Sequence, residues 1–403
     1  MIIKNVYLNN EKCDIRVHNG FIEEIEKNIG YGDSFIDANG LVAVPSFIDM
    51  HTHLREPGFT HKETILTGSY AALNGGFSDI LCMPNTRPVL DNADLINWVK
   101  NQSAFINVHP VGAVTVSEKG EILTDFESLR SAGAVALSDD GMPVEDDSLM
   151  EQALIRADKL GMLIISHCEV KNLVKSKIDI PPEAEYKMVE RDIRLAKKTG
   201  AGIHIAHVST KESVNMIRQA KKEGVKITCE TCPHYFSLTK EFVKIKGSNA
   251  VMNPPLRESS DVESIIEGLK DGTIDVIVTD HAPHSPEEKN VSPEYAPFGI
   301  IGLETSFSVG YTYLVRTGIL SMDELINLMS FRPFDILGIE RNLIKKGCKA
   351  NFILINPNEE YIFMADRGYS KSVNTPYDKM TLFGRVKYNI VNGVVNKCQQ
   401  AVL

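Results

Sequence analysis

Eight short runs rich in Val, Ile and Leu, each followed by a stretch with helical spacing, constrain this chain more than any other feature. The runs end near His51, Met83, Val114, Leu137, His167, His207, Glu230 and Thr279. Helix-like stretches between them include residues 147–160, 183–199, 211–223 and 261–271. Parallel strands need a crossover, usually a helix, so this alternation predicts a parallel sheet, and eight units predict its closure into a (β/α)8 TIM barrel.

The two ends of the chain follow a different rhythm. Asn9-Asn10, Asn19-Gly20 and Asn39-Gly40 separate short alternating runs, as expected for tight turns between small antiparallel strands. Residues 350–355 and 388–395 again read as strands, the second broken by Asn392-Gly393. The expected organisation is one small β domain built from both ends, residues 1–44 and 341–403, with the barrel at 45–340 between them.

Length and composition fit this layout. A chain of 403 residues with 43% hydrophobic and 24% charged residues matches a barrel plus an appendage. A net charge of -10, with Lys and Arg scattered, argues against a nucleic-acid surface. The N-terminus turns polar too soon for a signal peptide, and no run of eighteen uncharged apolar residues marks a membrane span, so a cytoplasmic protein is expected. Seven scattered cysteines, an odd number, fit a reducing compartment and a packing role.

Histidine placement carries the chemistry. His51, His53, His167, His204, His207, His281 and His284 lie at or just beyond strand ends, where barrel active sites sit. His51 and His53 are two apart, so an extended backbone aims both rings to one side. A single buried histidine is usually a satisfied polar group. Seven at one face, with Asp280 at the eighth strand, instead supply imidazole and carboxylate ligands to a metal. A bridging ligand is expected at the fourth strand end, which offers Asp139 or Asp140 but no lysine.

Several segments then become recognisable in order: Asp49 to Gly58, Met83 to Thr86, Ser138 to Gly141, His167 to Glu169, His207 to Thr210, Met252 to Arg257 and Thr279 to His284. Together they resemble class I dihydroorotases, and the likeness runs through Asn374 to Tyr377, over essentially the whole chain. The resemblance implies a distorted barrel of the amidohydrolase type that binds zinc, one or two ions and here two. His51, His53 and Asp280 would hold one ion, His167 and His207 the other, with Asp140 as the bridge.

The resemblance further implies that Arg55, Asn85 and His284 receive a substrate carboxylate. It implies substrate contact for His53 as well, and ring-amide contact for Asn253 and the Phe298-Gly299 backbone. A fork-shaped guanidinium suits a carboxylate. The implied reaction is reversible closure of N-carbamoyl-L-aspartate to L-dihydroorotate with loss of water, the third step of pyrimidine biosynthesis, with Asp280 as catalytic proton carrier. A homodimer and an association with aspartate carbamoyltransferase are also implied.

Two departures and two rivals stand beside this reading. The 167–207 interval looks short, and Cys232-Pro233-His234-Tyr235 stands where relatives often carry Thr-Pro-His-His, which also creates Cys229-x-x-Cys232 with His234 nearby; the cysteines read as strand packing. Residues 285–296 are polar and follow the Asp280 motif, so they are expected to close over substrate. The rival functions are another cyclic amidase, such as dihydropyrimidinase or allantoinase, and a non-catalytic scaffold for aspartate carbamoyltransferase. The missing bridging lysine and the presence of Arg55 and Asn85 argue against the first. The complete ligand set argues against the second.

Overall fold

A computed structural model describes residues 1–30 and 34–398. At the N-terminus β1 (Ile2–Leu8), β2 (Glu11–His18) and β3 (Phe21–Glu26) form an antiparallel meander. Its turns fall at Asn9-Asn10 (φ 49° and 65°) and Asn19-Gly20 (φ 50° and 83°). Both central residues of such turns lie in the left-handed region, which asparagine and glycine tolerate best. Two further strands, β4 (Phe35–Asp37) and β5 (Val42–Pro45), pair with β1 in parallel.

The chain then enters the barrel: β6 (Phe47–Thr52), β7 (Phe77–Cys82), β8 (Asn107–Ala113), β9 (Ala136–Ser138), β10 (Leu163–Ser166), β11 (Ile203–Ile205), β12 (Ile227–Thr231) and β13 (Val276–Ile277). These lie side by side in chain order, all parallel. The ring closes just past β13, where Thr52 bridges His281 in parallel and the His53 N–H donates to the His281 carbonyl at 2.8 Å. Asp49 reinforces that seam, accepting from the Thr279 hydroxyl at 2.5 Å and from its N–H at 3.2 Å. With β13 only two residues long, the barrel is distorted at its last strand.

The outer helices follow the expected rhythm. Asp147–Leu160 has the anticipated bounds, while Pro182–Thr199, Lys211–Lys222 and Ser259–Lys270 differ from them by one or two residues. Lys211–Lys222 shows why such a segment packs: Ser213, Val214, Ile217 and Ala220 make one buried stripe, and the Thr210 side chain caps the first turn.

After the barrel come β14 (Phe352–Ile362), β15 (Thr381–Val391) and β16 (Val394–Lys397), an antiparallel set. β14 pairs with β5, Phe352 opposite Pro45 and Ile355 opposite Val42, so both chain ends share one sheet. Its own apolar core includes Ile3, Val6, Ile15, Ile22, Phe352 and Ile390. The Asn392-Gly393 turn sits on the Asn19-Gly20 turn, where a Cβ on Gly393 would come within 2.6 Å of the Gly20 Cα. β14 runs on to Ile362, beyond the strand anticipated at 350–355, because β15 supplies partners past a register shift between Asn356 and Glu360.

Candidate active site

The carboxyl ends of the barrel strands surround a cavity of about 190 Å³. His53, Arg55, Asn85, Asp140, His167, His207, Asn253, Asp280, Phe298 and Gly299 line it, together with Gly141, Glu169 and Ala282. His51 lies in β6, fully buried, and His284 lies behind the wall, 5% exposed. Sequence reasoning therefore brought together residues that are far apart in the chain.

Imidazoles and carboxylates converge at the cavity floor. His51 Nε2 is 3.3 Å from Asp140 Oδ1 and 3.7 Å from Asp280 Oδ1. His53 Nε2 lies 3.1 Å from Asp280 Oδ1 and 3.4 Å from Asp140 Oδ2. His167 Nδ1 and His207 Nε2 are 2.9 Å apart, and each is 3.5 Å from Asp140 Oδ1. Two sets can each surround a cation: His51, His53 and Asp280, and His51, Asp140 and His207. The first coincides with one expected ion site. Asp140, not Asp139, faces the imidazoles.

The donor chemistry fits a cation. Among the described residues His51 Nε2 and Asp140 Oδ1 are buried without a hydrogen-bond partner, a cost that a bound ion would remove, and His167 Nε2 is likewise unpartnered, although it is the Nδ1 of that ring that faces Asp140. Burial pushes the Asp140 carboxyl up, yet His51, His167 and His207 hold it well below the usual range. Asp280 behaves likewise, with burial outweighed chiefly by His53 and His51. Both acids stay ionised. His207, Asp280 and Arg55 also carry positive φ values, 31°, 48° and 60°, a backbone strain that clusters at functional sites.

The cavity rim is cationic. Arg55 keeps its charge although burial lowers it to about 10, and its Nε donates to the Pro283 carbonyl at 3.2 Å. Nearby, His284 Nε2 donates to the Phe298 carbonyl at 2.7 Å, while its Nδ1 accepts from Lys62 at 3.3 Å. Burial, Arg55 and Lys62 push His284 down to about 3, so the ring is neutral, and the Phe298 carbonyl beside Nε2 and the Lys62 ammonium beside Nδ1 select its tautomer. Asn85 joins the two halves of the site, accepting from His53 Nδ1 at 2.9 Å and donating to the Asp140 carbonyl at 3.2 Å.

A Dihydro-orotase-like family model matches residues 40–179. A dihydroorotase of Caldanaerobacter subterraneus subsp. tengcongensis is 47% identical over 402 residues, covering 96% of this chain and 93% of the relative. One from Acetivibrio thermocellus is 45% identical, covering 95% and 94%. The chain belongs to the dihydroorotase family. Among solved structures, the L-hydantoinase (dihydropyrimidinase) of Arthrobacter aurescens superposes with a TM-score of 0.90 at 23% identity, covering 100% of this chain and 96% of that one. The dihydropyrimidinase of Brevibacillus agri gives 0.88 at 23%, covering 99% and 95%. These neighbours share the barrel fold, and the dihydroorotase relatives make the chain a cyclic amide hydrolase.

Within this dihydroorotase-family site, sequence reasoning left Glu230 without a role. Its carboxylate, fully buried at the end of β12, accepts from His51 Nδ1 at 2.6 Å, His204 Nε2 at 3.1 Å and the His207 N–H at 3.3 Å. It thereby leaves the His51 Nε2 lone pair facing Asp140 and Asp280. The signal available was position alone, an acid at a strand end. His204 and His281 stand behind the cluster, His204 bonded to Glu230 and Thr228, His281 to Glu63. Glu169, two residues past His167, accepts from Asn253 Nδ2 at 2.7 Å. Cys229 and Cys232 are fully buried in packing positions, as expected.

Proposed function

We propose that this enzyme cyclises N-carbamoyl-L-aspartate to L-dihydroorotate with loss of water, and reopens the ring in reverse. The observation that carries the reading is one cavity with two chemistries: a floor of imidazoles and ionised carboxylates, and a rim where Arg55 and Asn85 converge. A cyclic amide bearing a carboxylate matches both. Full-length similarity to dihydroorotases supports the same substrate.

His51, His53 and Asp280 would hold one zinc ion, and His167 and His207 a second, with Asp140 between them. When bound, such cations polarise a carbonyl and acidify water. The remaining tasks fall to the chain. Arg55 clamps the substrate carboxylate with parallel N–H donors, helped by Asn85 and, once its Nε2–H turns from the Phe298 carbonyl, by His284. Asn253, with its amide N–H engaged by Glu169, presents its oxygen to a ring N–H, while the Phe298-Gly299 backbone receives the other ring amide. In the hydrolytic direction Asp280 accepts the proton of the attacking water and returns it to the departing ring nitrogen, as base and then acid. His53, its Nδ1–H held by Asn85, keeps Nε2 3.1 Å from that carboxylate, so that the two would share one ion beside the substrate.

We further propose the division of the chain at residues 1–44, 45–340 and 341–403. The family resemblance supports a homodimer and an association with aspartate carbamoyltransferase. All seven cysteines are free, which supports the cytoplasm, and among the described residues no helix is long and apolar enough to cross a membrane. The decisive assay supplies zinc-loaded protein with L-dihydroorotate, hydantoin and allantoin. Turnover of L-dihydroorotate is expected; turnover of either of the others without it overturns the proposal.

A further inference from the structure

Lys289 is a buried cation with no task in the chemistry above. The residue is 4% exposed, and its ammonium donates to three backbone carbonyls: Ser248 at 3.1 Å, Val251 at 3.1 Å and Pro297 at 2.7 Å. An ammonium has three N–H donors, so this set saturates it. The neighbouring carboxylate, Glu288, is engaged by Lys62 at 2.9 Å.

Those carbonyls belong to two segments that both end in the cavity. Residues 248–251 lead into Asn253, and Pro297 leads into Phe298 and Gly299. The segments also touch directly, the Gly299 N–H donating to the Val251 carbonyl at 3.1 Å. The Ser248 hydroxyl bonds the Lys289 carbonyl in return, and Lys177 anchors the Ala296 carbonyl at 3.1 Å. Gly299 has no slack: at φ 129° a Cβ there would lie 2.5 Å from the Ala282 Cβ.

Burying this ammonium is costly. Desolvation, with Arg55 and Lys177 nearby, lowers Lys289 to about 7. Three charge-assisted bonds offset that cost only while the carbonyls stay in place, so the side chain and the two segments hold each other.

We propose that Lys289 is a positioning residue that clasps residues 248–251 to residues 297–299, and so sets the wall against which the substrate ring amide lies. This rests on the reading that Asn253, Phe298 and Gly299 receive that ring. The clasp also bears on residues 285–296, the segment expected to close over substrate: it begins in the capped helix Pro286–Lys289, is pinned at Lys289 and Ala296, and leaves Val291 and Tyr295 exposed between the two anchors.

The test uses zinc-loaded Lys289→Met, which keeps the bulk and removes the donors, and Lys289→Gln, which keeps part of the donor set. In K289M, zinc content stays at the wild-type level and KM for L-dihydroorotate rises about tenfold or more, as expected when a buried charged donor is lost, while kcat changes much less. Peptides spanning 248–253 and 297–301 exchange amide hydrogens faster, and those spanning the helix at 65–75 do not. K289Q falls between K289M and wild type. Wild-type KM and exchange in K289M overturn the proposal, as does a loss of zinc or kcat with KM unmoved. Should K289M not fold, wild-type behaviour of K289Q overturns it equally. Wild-type protein inert toward L-dihydroorotate sinks the proposed function instead, while exchange still judges the clasp.

Discussion

The barrel's carboxyl face and the sheet built from the chain ends bury charge to the same depth and use it in opposite ways. In the sheet, Lys4 and Asp14 are 5% and 2% exposed, and they satisfy each other and their surroundings. Lys4 Nζ bonds Asp14 Oδ2 at 2.5 Å and the Ile29 carbonyl at 2.6 Å, and Asp14 also accepts from the Asn5 and Ile29 N–H groups, each at 2.8 Å. At the barrel face His51, Asp140 and His167 are equally buried, yet each keeps an atom without a partner among the described residues. The sheet spends its buried charge on its own structure. The barrel face leaves its buried charge open for something that binds there.

If that contrast holds, damage to the two regions separates cleanly. The largest effect is expected from Asp280→Asn, which removes the proton carrier and lowers kcat by about 10²–10⁴-fold while the melting temperature stays near the wild-type value. Steady-state hydrolysis and a thermal scan check it; residual activity within about twofold of wild type would remove Asp280 from that role. In the sheet, Asp14→Ala removes the counter-charge beside the buried Lys4 ammonium, which stays on the Ile29 carbonyl, and costs about 3–5 kcal/mol of stability, with kcat of the folded protein unchanged. Denaturant unfolding measures this, and a shift in kcat would show that the regions are coupled.

The seam between the regions offers a third test. Glu304 is held near 7 mainly by burial, against its ordinary 4.5, although the Tyr369 and Ser370 N–H groups favour the anion. The folded protein therefore keeps a proton that the unfolded chain gives up. That contribution is fully present below about pH 4.5 and is lost as pH rises through about 7, a fall of about 3 kcal/mol. Glu304→Gln should flatten this part of the stability profile; an unchanged slope would assign it to other groups. The smallest effect concerns the rim. Arg55→Lys keeps the charge and loses the fork, raising KM by about tenfold with little change in kcat, as steady-state kinetics on L-dihydroorotate will show.

Much of this is legible in the amino-acid sequence. Periodicity sufficed for the barrel, because a buried parallel strand and an amphipathic helix leave different spacings of apolar residues. The Asn-Gly pairs sufficed for the hairpins of the end sheet, because few other residues accept their backbone angles. His51, His53 and Asp280 were legible because strand ends in a barrel point to a common axis. Spacing left Asp140 as one of two neighbours, and only the family resemblance singled it out, since direction at a turn depends on how the chain is held; the structure ties Asp139 back to the Val114 and Thr115 N–H groups and leaves Asp140 facing inward.

Glu230 was legible only as an acid at a strand end, and Lys289 not at all. Nothing local distinguishes a glutamate that orients His51, 179 positions away, from one on a solvated face. Likewise a lysine inside Ser-Pro-Glu-Glu-Lys reads as a surface charge until three carbonyls are seen around it. The sequence by itself determined the alternation of strands and helices, the turns and the residue types that reach the cavity. The tertiary structure alone decided which buried charges are satisfied and which are left open, because hydrogen-bond partners are chosen by distance in space and leave no periodic trace along the chain.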